Sequence, residues 1–109
     1  MTEHKLLQAI SDRAEHYASI TGQQLWNLPV RERARCNIAR NLQACESGLQ
    51  PLFGGTHSQA DRMAHSRLLS RMEASGLIER LTLRYVALTD AGREMLQQPI
   101  DEQSTETTA

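Results

Sequence analysis

The chain has 109 residues, 39% hydrophobic and 23% charged, with a formal net charge of −1. That length fits one domain. Aromatic residues make up only 4%, so a core built from Leu, Ile, Val, Met and Ala is expected, which suits packed helices better than a sheet sandwich. No apolar run reaches the roughly 18 residues a membrane helix requires, and no basic stretch followed by an apolar one marks a secretory leader.

The small net charge conceals an uneven distribution. Between Arg31 and Arg93 there are ten arginines and six carboxylates, a balance of +4. Residues 1–30 balance at −1 and residues 94–109 at −4. A basic middle between acidic ends is compatible with a nucleic-acid face, and equally with an ordinary mixed surface.

In chain order, a first helix is expected after the N-cap Thr2. Leu6, Ile10, Ala14, Tyr17 and Ala18 form its apolar stripe, which serves either the domain core or a dimer interface. Gly22 is the expected stop, and Gln23–Leu28 reads as a connector with Trp26 as a packing anchor. A second helix is expected from Pro29 to Ser47, with Val30, Ala34, Ile38, Leu42 and Cys45 buried and Arg33, Cys36, Arg40 and Gln43 facing outward. On that helix Cys36 and Cys45 would stand about 13 Å apart, too far to bridge. Two unpaired thiols without an export signal fit a reducing cytoplasm. Residues 49–57, with Pro51 and Gly54-Gly55, cannot form one continuous helix, although Leu49–Phe53 can form a short turn of one.

The third helix is the best marked. Ser58 and Asp61 form a Ser-x-x-Asp capping pattern, Ala60, Ala64, Leu68 and Met72 step by four along the inward face, and Gly76 ends the helix near Ser75. Leu77–Leu81 and Arg84–Leu88 are β-prone runs close enough to pair as a hairpin. Thr89 caps a last helix from Asp90 to about Gln98, with Pro99 beyond it. The acidic residues 99–109 are expected to be a disordered tail. The fold class is thus mainly α with a small β-hairpin, divided into an N-terminal helix and connector over 1–28, a main domain over 29–98 and a tail over 99–109.

The phrases Met72-Glu73-Ala74-Ser75-Gly76-Leu77-Ile78-Glu79-Arg80 and Leu88-Thr89-Asp90-Ala91-Gly92 resemble the winged helix-turn-helix of MarR-like transcription regulators. The likeness covers about a third of the chain. It implies a recognition helix over 58–75, a wing over 77–88 and double-stranded DNA as the partner. On that helix the outward positions are Arg62, Met63, Ser66, Arg67, Ser70 and Glu73. Arg62, Ser66, Arg67 and Ser70 are the expected DNA contacts, because Arg reaches phosphate or guanine and Ser donates to phosphate or a base edge. Arg84 is the expected phosphate contact of the wing. His65 is expected at the edge of the buried side and Arg71 in a salt bridge. The wing, with Leu81-Thr82-Leu83 at its tip, is shorter and less polar than the family's. The turn before the recognition helix is longer than the usual three or four residues.

Nothing in the chain has the spacing of a catalytic or phosphate-binding motif, and the four histidines are scattered. A regulator without enzymatic activity, metal or cofactor is expected, working as a homodimer across two half-sites. A small-molecule or protein effector is left open. The competing expectation is a winged-helix protein-interaction module that does not bind DNA. It is suggested by the net charge, the short wing and the acidic end.

Overall fold

The computed structural model describes residues 2–98. The elements run α1 (Glu3–Ala18), α2 (Gly22–Trp26), α3 (Val30–Leu42), β1 (Ala44–Glu46), α4 (Leu49–Phe53), α5 (Gln59–Ala74), β2 (Ile78–Arg80), β3 (Tyr85–Leu88) and α6 (Asp90–Gln97). The protein is mainly helical, with one small antiparallel sheet in the order β1-β3-β2. The acidic tail expected over 99–109 lies outside the described residues.

α1 begins where Thr2 Oγ1 accepts the Lys5 N–H at 3.1 Å, as its cap position predicts. Leu6, Leu7, Ile10 and Ala14 are buried. The helix packs against α3, β1, β3, α4 and α6, so its stripe belongs to the core. α1 stops at Ala18, before Gly22. Gly22 instead opens α2, a short helix inside the expected connector.

The stretch from Pro29 to Ser47 departs furthest from expectation. α3 ends at Leu42 because Gln43 takes a left-handed conformation, with φ of 53°. The chain then extends as β1, pairing Ala44 with Ala87 and Cys45 with Val86. Those bonds fill the free edge of β3, which a longer helix would leave unpaired. The buried residues of α3 are Cys36 and Ala39, not the stripe that begins at Val30. Val30 is 72% and Leu42 55% exposed. Cys36, expected outside, is fully buried. Trp26 anchors no core and is 70% exposed. Arg35 of α3 forms an ion pair with Glu46 of β1, which fixes the corner between them.

The end of α5 follows its local signals. Leu77 N–H donates to Met72 O at 2.9 Å and Gly76 N–H to Glu73 O at 3.0 Å. This is the paired closure of a Schellman motif, with Gly76 at φ 79°. The second turn, Leu88-Thr89-Asp90-Ala91-Gly92, has its own requirement. A Cβ on Gly92 would lie 2.1 Å from Leu77 O and 3.5 Å from Leu7 Cδ2. Bare backbone lets α6 close onto both the hairpin and α1.

Both cysteines are free and buried. Burial pushes the Cys36 thiol up, and it pushes Cys45 up to about 12. Both thiols are thus protonated at neutral pH. Native protein should resist iodoacetamide at both positions and become labelled once urea unfolds it. Because the folded-state Cys45 value lies above the unfolded one, its contribution to stability is complete below about pH 9 and declines as pH rises toward 12. Gly92→Ala should cost about 1–3 kcal/mol through overpacking, read as a lower urea midpoint at unchanged slope.

Candidate nucleic-acid interface

A short helix, a turn and a long helix make up the centre of this region. α4 buries Leu49 and Leu52, and Arg13 of α1 holds it by donating to Leu52 O at 3.3 Å. The turn over 54–58 carries the two adjacent glycines, and His57 donates through Nε2 to Gly54 O at 2.8 Å. The expected short helix in Leu49–Phe53 is therefore present, and the turn after it is the longer one its glycines suggest. Thr56 is exposed and His57 half-buried.

α5 starts with a complete capping box. Ser58 Oγ accepts the Asp61 N–H at 3.1 Å, and Asp61 Oδ2 accepts the Ser58 N–H at 3.2 Å. Its inward side is His65, Leu68, Leu69 and Met72. Ala60 and Ala64, expected inside with Leu68 and Met72, are exposed, because the stripe follows the 3.6-residue repeat while a strict four-residue step drifts off it. His65 sits deeper than an edge position, at 7% exposure. Its Nε2–H donates to Ser47 O at 2.6 Å, and its ring meets Phe53 edge-on at 6.5 Å between centroids. These contacts lock the long helix to the β1–α4 junction.

The opposite side of α5 is open. Arg62, Met63, Ser66, Arg67, Ser70, Arg71 and Glu73 are all exposed. Arg62 reaches back to donate to His57 O at 3.1 Å, which pins its stem at the mouth of the turn. Among the described residues no carboxylate lies within ion-pair distance of Arg62, Arg67, Arg71 or Arg84. Arg71 thus lacks the salt-bridge partner expected for it and adds a fourth cation on or beside this face. Its position one helical turn after Arg67 is the sequence signal for it. Glu73 is neutralised by Arg80 at 3.3 Å, so the acid at the far end of the face is matched by a cation from β2.

The hairpin is tight. Leu81 N–H donates to Tyr85 O at 3.0 Å, and Thr82 Oγ1 accepts the N–H groups of Arg84 and Tyr85 at 3.1 and 3.2 Å. Leu83 is left at the apex, 93% exposed, with Arg84 exposed beside it. Among the described residues no group of His, Cys, Asp or Glu is placed to hold a metal ion, and no helix is long and apolar enough to cross a membrane.

Ser58→Ala should cost about 1 kcal/mol by removing half of the capping box. Faster amide exchange in the first turn of α5 than in its Leu68–Met72 segment would register the loss. The chain matches no known protein family, no curated protein and no solved structure.

Proposed function

We propose that this chain is a DNA-binding transcription regulator of the winged helix-turn-helix type. In this reading α4 and α5 are the helix-turn-helix, α5 is the recognition helix, and the β2–β3 hairpin is a short wing. One observation carries it: the outward side of α5 presents Arg62, Ser66, Arg67 and Ser70 to solvent, its arginines unpaired with any carboxylate among the described residues. A helix of this width fits a major groove. Exposed cations without a carboxylate partner gain most from phosphate, since no existing ion pair has to be broken. The element order and the resemblance of the 72–92 segment to MarR-like regulators support the same reading. Arg67 and the two serines lie centrally on the exposed side and are assigned to base edges. Arg62, Arg71 and the wing residue Arg84 are assigned to phosphates. The protein acts as a homodimer in the cytoplasm.

Leu83 favours the competing reading, a protein-interaction module on the same fold, because an apolar apex is poorly suited to phosphate. Salt dependence separates the two. Fluorescence anisotropy with duplex DNA should show affinity that falls linearly in log–log form with salt. Arg67→Ala should weaken a specific site by about 1–3 kcal/mol, and Arg84→Ala should weaken all duplexes alike while reducing the salt slope by about one. Absence of binding to any duplex at low salt would reject DNA recognition in favour of the protein module.

A further inference from the structure

Met63 is the large apolar residue on the open side of α5, 47% exposed and on the same side as Ser66, Arg67 and Ser70. At about 100° per residue it lies about 140° around the helix from the buried Leu68. An exposed methionine standing alone needs no explanation, but this one has apolar company. Ala60 precedes it by three residues and Ala64 follows it directly, and both are exposed. The three make a small apolar patch over the first two turns of the helix. The surroundings of the patch are cationic. Arg62 adjoins Met63, Arg67 lies one turn on, and Arg71 one turn beyond that. Among the described residues no carboxylate lies within ion-pair distance of these three arginines. Asp61, the acid in this half of the helix, is turned away, about 20° from Leu68. Its Oδ2 accepts the Ser58 N–H in the capping box. The surface fits an occupant that is apolar at its centre and anionic at its margins.

We propose that Met63 reads thymine, its side chain packing on the C5-methyl group in the major groove, so that the DNA site of this chain carries a thymine at that position. The inference rests on the DNA-binding reading above and adds a specificity-determining residue to it. The major groove has the required distribution of chemistry. Phosphates rim it, and thymine methyls are the apolar groups on its floor. A protein partner would need an apolar knob with acids placed around it to match Arg62, Arg67 and Arg71, whereas every duplex supplies the anions. The unbranched thioether of methionine adapts its shape to a methyl group. Ala60 and Ala64 have no side chain beyond Cβ and keep nothing between that part of the helix and the bases. Met63 and Arg67 are separated by about 6 Å along the helix axis, close to two base steps of about 3.4 Å. The thymine therefore falls within about two base pairs of a guanine held by Arg67.

The preferred duplex is selected from a random pool with the full chain at about 0.15 M salt. Each thymine in it is then replaced singly by deoxyuridine, which lacks only the methyl group. Anisotropy should show a loss of about three- to fivefold at one thymine per half-site, the effect of one buried methyl. Met63→Ala should weaken the intact site by a similar factor and abolish the deoxyuridine effect at that position, while Met63→Leu should retain it. Arg67→Ala should weaken binding yet leave the effect in place, which separates the methyl contact from hydrogen bonding. Circular dichroism of Met63→Ala should match the parent, because Met63 lies outside the core. A selected site indifferent to deoxyuridine at every thymine would overturn the proposal while leaving DNA binding intact. So would a deoxyuridine effect that survives Met63→Ala, or a selected pool with no shared sequence. A chain that binds no duplex at low salt removes the DNA reading itself, and this assignment with it.

Discussion

Everything in this fold rests on the burial of one stripe of α1. Leu6, Leu7 and Ile10 are completely enclosed, and Ala14 nearly so. They touch the sheet and helices α3, α4 and α6, elements that otherwise meet only in part. A large aliphatic side chain is worth about 1.5–3 kcal/mol when fully buried. Three such residues on a single helix therefore make a large share of the marginal stability of a chain this size. An N-terminal helix that could have been an appendage is instead the spine against which the C-terminal elements close.

From that spine outward, the structure holds α5 at three points along its length. The capping box fixes the first turn. The His65–Ser47 hydrogen bond ties the middle to the β1–α4 junction, and the Schellman closure at Gly76 sets the angle at which the hairpin leaves. Thr89 then returns the chain to Leu77, with its N–H donating to Leu77 O at 3.1 Å, close to the point where Gly92 admits α6. The open side of α5 is thus presented by a helix whose buried side has little freedom to roll. Such preorganisation reduces the ordering cost of binding an extended ligand.

The legible parts of the sequence were those governed by neighbours a few residues apart. Ser58 with Asp61, Gly76, and Thr89 with Gly92 each declare a helix boundary through backbone groups within reach. The elements they bound are found within a residue or two of expectation. The exposed positions of α5 follow from the same logic, since fixing Leu68 inward places Arg62, Ser66, Arg67 and Ser70 outward. α3 was misread because periodicity identifies an apolar face without saying which body covers it. Val30, Ala34, Ile38 and Leu42 make the stronger stripe, yet the core takes the weaker side, where small Cys36 and Ala39 allow close approach to α1. β1 was invisible for a related reason. Three residues have no period, and their strand exists only because β3, forty residues later, offers an edge. Arg71 was assigned an acidic neighbour that only the three-dimensional arrangement could deny it.

The sole tryptophan lies outside the core, stacked beneath a guanidinium. Its indole is largely hydrated in the native monomer, so emission from Trp26 changes little when the core melts and is a poor gauge of unfolding. The same placement makes it a built-in optical label for the α2–α3 side of the molecule. Anything that settles over that side displaces water from the ring, shifts its emission to the blue and shields it from aqueous quenchers, while events at α5 leave it silent.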